Sequence, residues 1–580
     1  MTQNSIHSVS PKFHPLDQSQ KIPLRKTDPN QFEEFLQDAS RMAGGKASAV
    51  VFPQTEKHVS EYLKSAHTAK TPVTIAGNHT GLVGGAVPLE GEVLATSYMN
   101  EVFPKETEDV MEVIAGEDEL TSRKYHFYLK RVDDHIRAVV PPGLRLREFQ
   151  KRIEEKGLFY PPDPTEWNAF LGATVSTNAS GSRTFKYGAT RLYTKALRVV
   201  LAEGHVLEIE RDKIFSDLNQ TFQIFFSKSE KILIKIPSLT MPRVKHAAGY
   251  FCQPEMDLID LWIGSEGTLG VITQTELDLI QKPSTVMSVI VYFSKESQAI
   301  QFVEKIRQQS YQTWQKKDIQ GLDIRAIEYF DSNSLKLLRE NSLSVRIPSQ
   351  SETAIYFEQE SSSKISREEL ENLMKPLFEE RPLTSQETQD LMKHPFGRMT
   401  LLLKEEGVLD DLELAFPGEE KAQRKLKEFR HALPVKVNEI IGQYKRQSGF
   451  LGLHKVATDT AAPDKYLKPM MDLFKTTLDR SGIRYVIFGH IGNNHLHANL
   501  LPQNEKELTA ARQTYLELCW HVVDMGGTVS AEHGIGKLKH SSLEMLYRKE
   551  DLIEMAHLKK MLDPHAILGR GNIFPKEFIL

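Results

Sequence analysis

Apolar residues in the early part of the chain follow two periods, which predict strands and a helix in alternation. Residues Ala49–Phe52 form a continuous apolar run of the kind that a short buried strand shows. In Thr55–Ala69, apolar residues recur at near-helical spacing and predict an amphipathic helix. Residues Pro72–Ala76 predict a second strand, which runs straight into a glycine-rich loop. The polar segment before this unit, residues 1–45, predicts an N-terminal arm.

Beyond Pro283 the pattern changes and predicts a second domain of mixed helices and strands. Charged helical segments alternate there with strand-like runs. The predicted elements are strands over Val286–Phe293 and Ala354–Gln359 and helices over Lys295–Gln308, Ser366–Lys375 and Glu419–Leu433. Two further strands, Tyr485–Phe488 and His495–Leu501, flank a polar turn and predict a hairpin.

Composition excludes several classes of protein. The 580 residues include 73 Lys and Arg against 77 Asp and Glu, a net charge of −4, so the basic footprint of a nucleic-acid binder is absent. The two cysteines, Cys252 and Cys519, are too few for a disulfide framework or a Cys-ligated iron–sulfur cluster. No apolar run approaches the ~20 residues that span a bilayer. We therefore expect a cytoplasmic location and leave peripheral contact with the inner membrane open.

Three glycine-rich segments in the first half are candidates for binding a phosphorylated cofactor. The loop Gly77–Gly85 follows a strand, and glycines at this density let backbone N–H groups approach an anion. The segment Gly172–Gly181 consists mostly of small residues with hydroxyl groups and an amide, which suits close packing against a flat ligand. The third segment is Gly264–Thr273. Taken singly, each segment is equally compatible with a tight turn or a bulged strand.

Histidines cluster near the C-terminal end and suggest a metal site. The predicted hairpin places His490 near His497 on one face, and Glu532 follows in Ser530–Gly536. Two imidazoles and a carboxylate can form an open metal site. The chain contains 20 histidines, however, so a hairpin that carries three of them does not by itself establish a metal.

Together, the three glycine-rich segments resemble the FAD-binding domain of the vanillyl-alcohol oxidase and p-cresol methylhydroxylase superfamily. The resemblance implies that the first loop holds the pyrophosphate and that the other segments line FAD. Position 79 is usually Gly in the D-lactate dehydrogenase branch, whereas other branches carry a His that bonds to the flavin; covalent attachment through His79 stays open. The implied FAD-binding residues are Gly77, Asn78, His79, Thr80, Gly81, Gly84, Pro162, Asp163, Gly172, Thr174, Thr177, Asn178, Ser180, Gly181, Glu266, Gly267, Gly270 and Ile272.

Two motifs in the C-terminal half resemble those of the FAD-linked oxidases that include D-lactate, D-2-hydroxyglutarate and glycolate dehydrogenases. Residues 489–497 are similar to the family's GHxGDGNLH, and residues 531–536 are similar to its GEHGIG. The resemblance implies that His490, His497 and Glu532 bind a divalent metal (Zn, Mn or Fe) and that His533 is the general base. Asn493, Asn494 and His495 depart from the motif, as does Gly569–Gly571 where the family has Asn-Pro-Gly.

The resemblance also implies an α+β architecture of defined parts. We expect an arm over residues 1–45 and a two-lobed FAD-binding domain of PCMH type over residues 46–282. A cap domain with an antiparallel sheet flanked by helices and the metal site follows over residues 283–540. Residues 541–580 are expected to return to the FAD-binding domain.

The expected reaction is oxidation of a D-2-hydroxy acid, similar to D-lactate, to the 2-keto acid. Arg430 lies where the family places an arginine for the substrate carboxylate, although a helix-surface arginine is a common alternative. Lys455 and Asn499 are further candidate substrate contacts. The metal would polarise the hydroxyl, His533 would accept its proton, and the hydride would pass to flavin N5.

Two other functions stay open at this stage. One is an alkyl-dihydroxyacetonephosphate synthase, a relative that binds FAD without a metal, although Glu532 argues against it. The other is a flavin-binding relay protein without its own substrate, which the altered residues around His495 motivate. The electron acceptor could be a quinone, a cytochrome or an electron-transfer flavoprotein. A homodimer is compatible with the resemblance.

Overall fold

The N-terminal part of the protein is a small sheet that carries the first glycine-rich loop. The computed structural model describes residues 23–105, 108–225, 231–340, 345–362, 365–379 and 381–579. The first strands are β1 (Leu24–Lys26), β2 (Ala49–Phe52), β3 (Val73–Ala76) and β4 (Glu92–Ala95), with helix α1 (Glu56–Ala69) between β2 and β3. Their order is β1-β2-β4-β3, and β4 pairs in parallel with both neighbours. The strand–helix–strand prediction is confirmed.

The described part of the predicted arm packs on this sheet. Strand β1 pairs antiparallel with β2, and Phe32 and Phe35 are buried against the sheet. Residues 1–22 of the predicted arm lie outside the described residues. Two residues of the predicted arm, Phe32 and Phe35, are therefore part of the hydrophobic core of this sheet, whereas most of residues 24–36 lie at the surface.

A larger antiparallel sheet forms the second lobe. Its strand order is β10-β9-β13-β7-β6-β5, with β8 added to β13 and β11–β12 as a separate hairpin. The strands are β5 (Val110–Glu117), β6 (Lys124–Val132), β7 (His135–Val140), β8 (Leu158–Phe159), β9 (Thr194–Val200), β10 (Val206–Glu210), β11 (Thr221–Phe225), β12 (Lys231–Lys235) and β13 (Val271–Gln281). The helices are α2 (Leu146–Glu154), α3 (Leu171–Ser176), α4 (Thr184–Tyr187) and α5 (Thr190–Tyr193).

The cap domain is built on one antiparallel sheet of order β17-β14-β16-β15-β20-β21-β18, with β19 also paired to β21. Its strands are β14 (Thr285–Phe293), β15 (Ile324–Phe330), β16 (Thr353–Ser361), β17 (Leu412–Ala415), β18 (Val456–Ala457), β19 (Thr460–Ala461), β20 (Tyr485–Gly489) and β21 (His495–Leu500). Its helices are α6 (Glu296–Lys316), α7 (Ser332–Arg339), α8 (Arg367–Met374), α9 (Ser385–Met392), α10 (Pro395–Glu405), α11 (Glu420–Ser448), α12 (Leu467–Ser481) and α13 (Glu505–Asp524).

Helix α11 is longer than the sequence predicted. It contains Pro434 and continues to Ser448, where Gly449 ends it in a left-handed conformation. Proline usually ends a helix. Here the apolar residues beyond it, Val437, Ile440 and Ile441, are buried in the cap core, and this packing stabilises the continuation.

The C-terminal segment returns to the N-terminal sheet. Helices α14 (His540–Leu546) and α15 (Lys549–Leu562) lead into a strand-like passage in which Val73 donates to Ile567 O at 2.7 Å and accepts from Gly569 N at 2.9 Å. The predicted α+β architecture is confirmed. Within the described ranges, no helix is both long and apolar enough to cross a membrane. The 3-10 turns are Pro29–Gln31, Glu33–Leu36, Thr96–Tyr98, Leu258–Leu261, Lys375–Phe378, Asp464–Tyr466, Ile491–Asn493 and Lys576–Phe578.

Candidate active site

The three glycine-rich segments meet around one open cavity. Strand β3 delivers the first loop to it, helix α3 delivers the second segment, and the start of β13 delivers the third. The candidate FAD-binding residues that line the cavity are Gly77, Asn78, His79, Thr80, Gly81, Gly172, Thr174, Thr177, Ser180, Glu266, Gly267, Gly270 and Ile272. The structure thus brings together most of the residues that the sequence indicated.

The cavity has the features that a flat, phosphorylated cofactor requires. A Cβ atom at Gly77 would lie 2.9 Å from Ala173, and one at Gly172 would lie 2.5 Å from Pro142, so larger residues would disturb its walls. The buried hydroxyl of Ser180, on the wall, has no hydrogen-bond partner among the described residues. Closely packed walls and a buried hydroxyl that is left for a ligand are features that fit bound FAD.

Five of the candidate FAD-binding residues do not line the cavity. Asn178 accepts a hydrogen bond from Arg191 N at 3.0 Å. A Cβ atom at Gly181 would lie 1.7 Å from Asp163 O, so these two backbones are in direct contact. The residues of this group are Gly84, Pro162, Asp163, Asn178 and Gly181. The wall itself uses the residues that follow Asp163, namely Pro164, Thr165 and Glu166, which carry no motif in the sequence.

His79 is on the cavity wall in a left-handed backbone conformation, with φ of 55°. Its ring lies edge-on to Phe35, with the centroids 4.7 Å apart. Neither ring nitrogen has a well-formed hydrogen-bond partner among the described residues. Burial lowers the pKa of His79 to about 4, so its imidazole is neutral near neutral pH.

The C-terminal motifs form a compact cluster of metal-ligating side chains. His490, His495, His497 and Glu532 each offer a ligand atom, and these atoms lie within 4.8 Å of one another. The pairing of β20 with β21 places Phe488 opposite His497, as the predicted hairpin requires. The sequence indicated three of the four residues. It missed His495 as a donor because His495 departs from the resembled motif.

Two buried groups outside the predicted set hold this cluster. Glu328, on β15, accepts a hydrogen bond from His490 Nδ1 at 2.7 Å. The ammonium of Lys245 forms an ion pair with Glu532, and its side chain is only 3% exposed. Burial opposes the charge on Glu532, but Lys245 and His490 hold the pKa of its carboxyl well below the ordinary range. Single lysines and glutamates carry no motif, so these two residues were not foreseen.

Glu532 and His533 join the cluster to the cavity, because both also line its wall. His533 stacks on His497 with ring centroids 5.5 Å apart. Its Nδ1 lies 3.4 Å from Asp459 Oδ2. Burial lowers the pKa of His533 and Asp459 opposes this effect, so the ring is neutral near neutral pH and can accept a proton.

Sequence reasoning missed Asp459, whose carboxylate contacts several groups of the site. It is 1% exposed and follows the predicted Lys455 by four residues in the sequence. Its Oδ2 accepts from Lys539 Nζ at 2.7 Å, from Ser530 Oγ at 2.8 Å and from the backbone N–H of His533 at 3.0 Å. An isolated charge in the otherwise uncharged stretch 456–463 was the only signal for it in the sequence.

The predicted substrate residues lie near the cluster. Arg430 lies on α11 with 11% of its side chain exposed; its Nε is 3.7 Å from Glu328 and its Nη1 is 3.9 Å from Asp163. The described residues offer its guanidinium these ion pairs and no hydrogen bond, so its N–H groups are available to a ligand. Lys455 is half-buried and near enough to His533 to affect its pKa. Asn499 is buried on β21 and its Oδ1 has no partner within the described chain.

Comparison with known proteins gives two family matches. Residues 282–573 match the family model "FAD linked oxidases, C-terminal domain", and residues 47–118 and 124–210 match "FAD binding domain". The first match covers the metal-ligating cluster and Arg430, and the second covers the first two glycine-rich segments.

Several relatives align with nearly the whole chain. Glycolate oxidase subunit GlcD of Bacillus subtilis is 25% identical over 548 residues, covering 94% of this chain and 92% of the relative. D-2-hydroxyglutarate dehydrogenase of Stutzerimonas stutzeri is 25% identical over 556 residues, covering 94% and 95%. D-lactate dehydrogenase of Archaeoglobus fulgidus is 26% identical over 532 residues, covering 91% of each.

A solved structure shares the fold. Alkyldihydroxyacetonephosphate synthase superposes with a TM-score of 0.54 at 15% sequence identity, covering 94% of this chain and 82% of that protein. At this level of identity, the likeness concerns the fold alone.

Proposed function

The chain belongs to the family of FAD linked oxidases, and from this premise we propose that it oxidises a D-2-hydroxy acid to the 2-keto acid. The observation that carries the proposal is that Glu532 and His533 lie on the wall of the same cavity that the glycine-rich segments enclose. A substrate there would touch a metal-ligating cluster, a neutral imidazole and the cofactor cavity together. The aligned relatives, named for glycolate, D-lactate and D-2-hydroxyglutarate, support the substrate class.

Arg430 would bind the substrate carboxylate. A guanidinium presents N–H groups in a fork that matches a carboxylate, and the N–H groups of Arg430 make no hydrogen bond to the described protein. Its two acidic neighbours stand at 3.7 and 3.9 Å, which keeps it charged without using up its donors. Lys455 would add a second positive charge on the His533 side of the site.

His533 would accept the hydroxyl proton of the substrate. Asp459 lies against His533 Nδ1, so the other nitrogen, Nε2, is the free one. Stacking on His497 restrains rotation of the ring. A positioned, neutral imidazole of this kind accelerates proton transfer by about 10²- to 10⁴-fold.

Two groups complete the reaction. His490, His497 and Glu532 would hold a divalent metal, whose chemistry at this site is Lewis-acid polarisation of the substrate hydroxyl. The glycine-rich segments would hold FAD, whose chemistry is acceptance of the hydride from substrate C2. With FAD bound, the substrate alcohol would lose its hydroxyl proton to His533 and the two electrons of a hydride to FAD, which balances as its oxidation to a 2-keto acid.

The proposal is tested by anaerobic reduction of the flavin. The purified protein, loaded with FAD, is mixed without oxygen with D- and L-enantiomers of lactate, 2-hydroxyglutarate and other 2-hydroxy acids, and with glycolate. We expect one D-acid to bleach the flavin absorbance at a rate that its L-enantiomer does not approach. Full occupancy by FAD and metal without bleaching by any of these acids would refute the proposed activity.

A further inference from the structure

The three histidines of the cluster share one arrangement: one ring nitrogen is held by an outer acceptor and the other faces inward. His490 Nδ1 lies 2.7 Å from Glu328 Oε1, and His497 Nδ1 lies 3.0 Å from the carbonyl of Thr458. His495 has the opposite ring orientation, with Nε2 at 3.1 Å from Asp459 Oδ1. Metal-ligating histidines characteristically donate their second N–H to a carboxylate or backbone carbonyl in this way.

The outer acceptor determines which nitrogen of His495 is left for a ligand. Because Nε2–H donates to the buried Asp459, the lone pair belongs to Nδ1. That Nδ1 lies 4.0 Å from Glu532 Oε1 and 3.4 Å from Lys245 Nζ. An ammonium can only donate, so the contact with Lys245 requires the same tautomer.

The rings themselves are close enough to share one ion. The centroid of His495 is 5.3 Å from that of His490 and 4.6 Å from that of His497. The donor atoms lie within 4.8 Å of one another, and donors that share an ion at ~2.1 Å stand roughly 3–4 Å apart. Small side-chain movements would therefore bring all of them to one centre.

We propose that His495 is an additional metal ligand, so that the site offers three imidazoles and one carboxylate. This inference rests on the metal site of the proposed function and extends it, because the resembled motif has Asn at this position. Imidazole suits Zn²⁺ and Fe²⁺, whereas oxygen donors suit Mn²⁺. Because this chain has His495 where the motif has Asn, its metal preference shifts away from Mn²⁺.

The inference is tested by counting nitrogens on a bound metal, which does not depend on turnover. The FAD-containing protein is loaded with Cu²⁺, and nitrogen splitting in the electron paramagnetic resonance spectrum is compared between wild type, His495→Asn and His490→Ala. We expect three imidazole nitrogens in wild type and two in each variant. Apparent Zn²⁺ affinity, measured against a chelator, should fall at least about 10-fold in His495→Asn.

His394→Asn is the matched control, because His394 caps α10 and is not in the cluster. It should keep the wild-type spectrum and affinity. Two nitrogens in wild type overturn the inference even if His495→Asn does not fold. The inference is also overturned if His495→Asn keeps the wild-type spectrum and Zn²⁺ affinity while His490→Ala loses a nitrogen and binds Zn²⁺ more weakly. In that case the metal site of the proposed function stands. Wild type that takes up no stoichiometric metal overturns both proposals.

Discussion

Glu266 accepts a hydrogen bond from the backbone N–H of Gly536 at 2.7 Å, although 270 residues separate the two in sequence. Its other carboxylate oxygen accepts from Ile535 N, also at 2.7 Å. Glu266 belongs to the third glycine-rich segment of the cofactor cavity, whereas Gly536 closes the turn that presents Glu532 and His533. One buried carboxylate therefore fixes the proton-accepting side chain relative to the cofactor cavity.

Replacement of Glu266 by Gln should weaken both halves of the site. The amide can accept through one oxygen only, so one of the two buried N–H groups loses its partner, at a cost of about 1–3 kcal/mol. We expect a lower thermal midpoint of unfolding and a roughly tenfold weaker affinity for FAD, which corresponds to about 1.4 kcal/mol. Titration of the apoprotein with FAD measures the affinity.

Glu148→Gln provides the comparison for that experiment. Glu148 is also a buried carboxylate of the FAD-binding domain, on α2, but it does not line the cofactor cavity. If Glu148→Gln lowers FAD affinity as much as Glu266→Gln does, the effect is general destabilisation and the proposed link is absent.

His533→Ala should remove the proton acceptor and leave the cofactor bound. The expected loss in the rate of flavin reduction is about 10²- to 10⁴-fold, with the FAD content of the purified protein unchanged. Stopped-flow absorbance under anaerobic conditions measures the rate. A variant that reduces its flavin at the wild-type rate would show that another group accepts the proton.

The sequence predicted the elements and residues that obey local rules. Glycine-rich loops can be recognised by their composition after a predicted strand, and the histidine hairpin by the alternation of its residues. The structure brings His490, His497 and Glu532 together, as this reading of the sequence indicated. Helix α11 was predicted too short because the burial of residues beyond Pro434 outweighs the local effect of proline.

The residues that were missed act through partners distant in sequence. Asp459 contacts Lys539 and Ser530, and Lys245 contacts Glu532, 287 residues away. No spacing rule connects such pairs, because only the tertiary fold brings them together: Lys245 meets Glu532 across the two domains, and Asp459 meets Ser530 and Lys539 within the cap. A buried charge requires a partner, but the sequence alone does not name it.

Arg430→Lys should separate substrate binding from support of the metal-ligating cluster. Lysine keeps the charge but loses the fork that matches a carboxylate. We expect the concentration of hydroxy acid that half-saturates flavin reduction to rise about 10- to 100-fold, with metal affinity unchanged. If metal affinity falls and the substrate dependence stays the same, Arg430 acts instead through Glu328 on His490.

Lys245 should compete with the metal for Glu532. Its ammonium contacts both Glu532 and His495 Nδ1, which are two of the four candidate donors. Two like charges about 4 Å apart repel by ~4 kcal/mol at an effective dielectric constant of ~20, so removal of the ammonium should favour a divalent cation. We therefore expect Lys245→Met to raise Zn²⁺ affinity at least tenfold, measured by chelator competition with the FAD content as a check on folding. Lys245→Arg retains the positive charge and should not show this gain. Equal affinities in wild type and Lys245→Met would mean that the ammonium and the metal do not share Glu532.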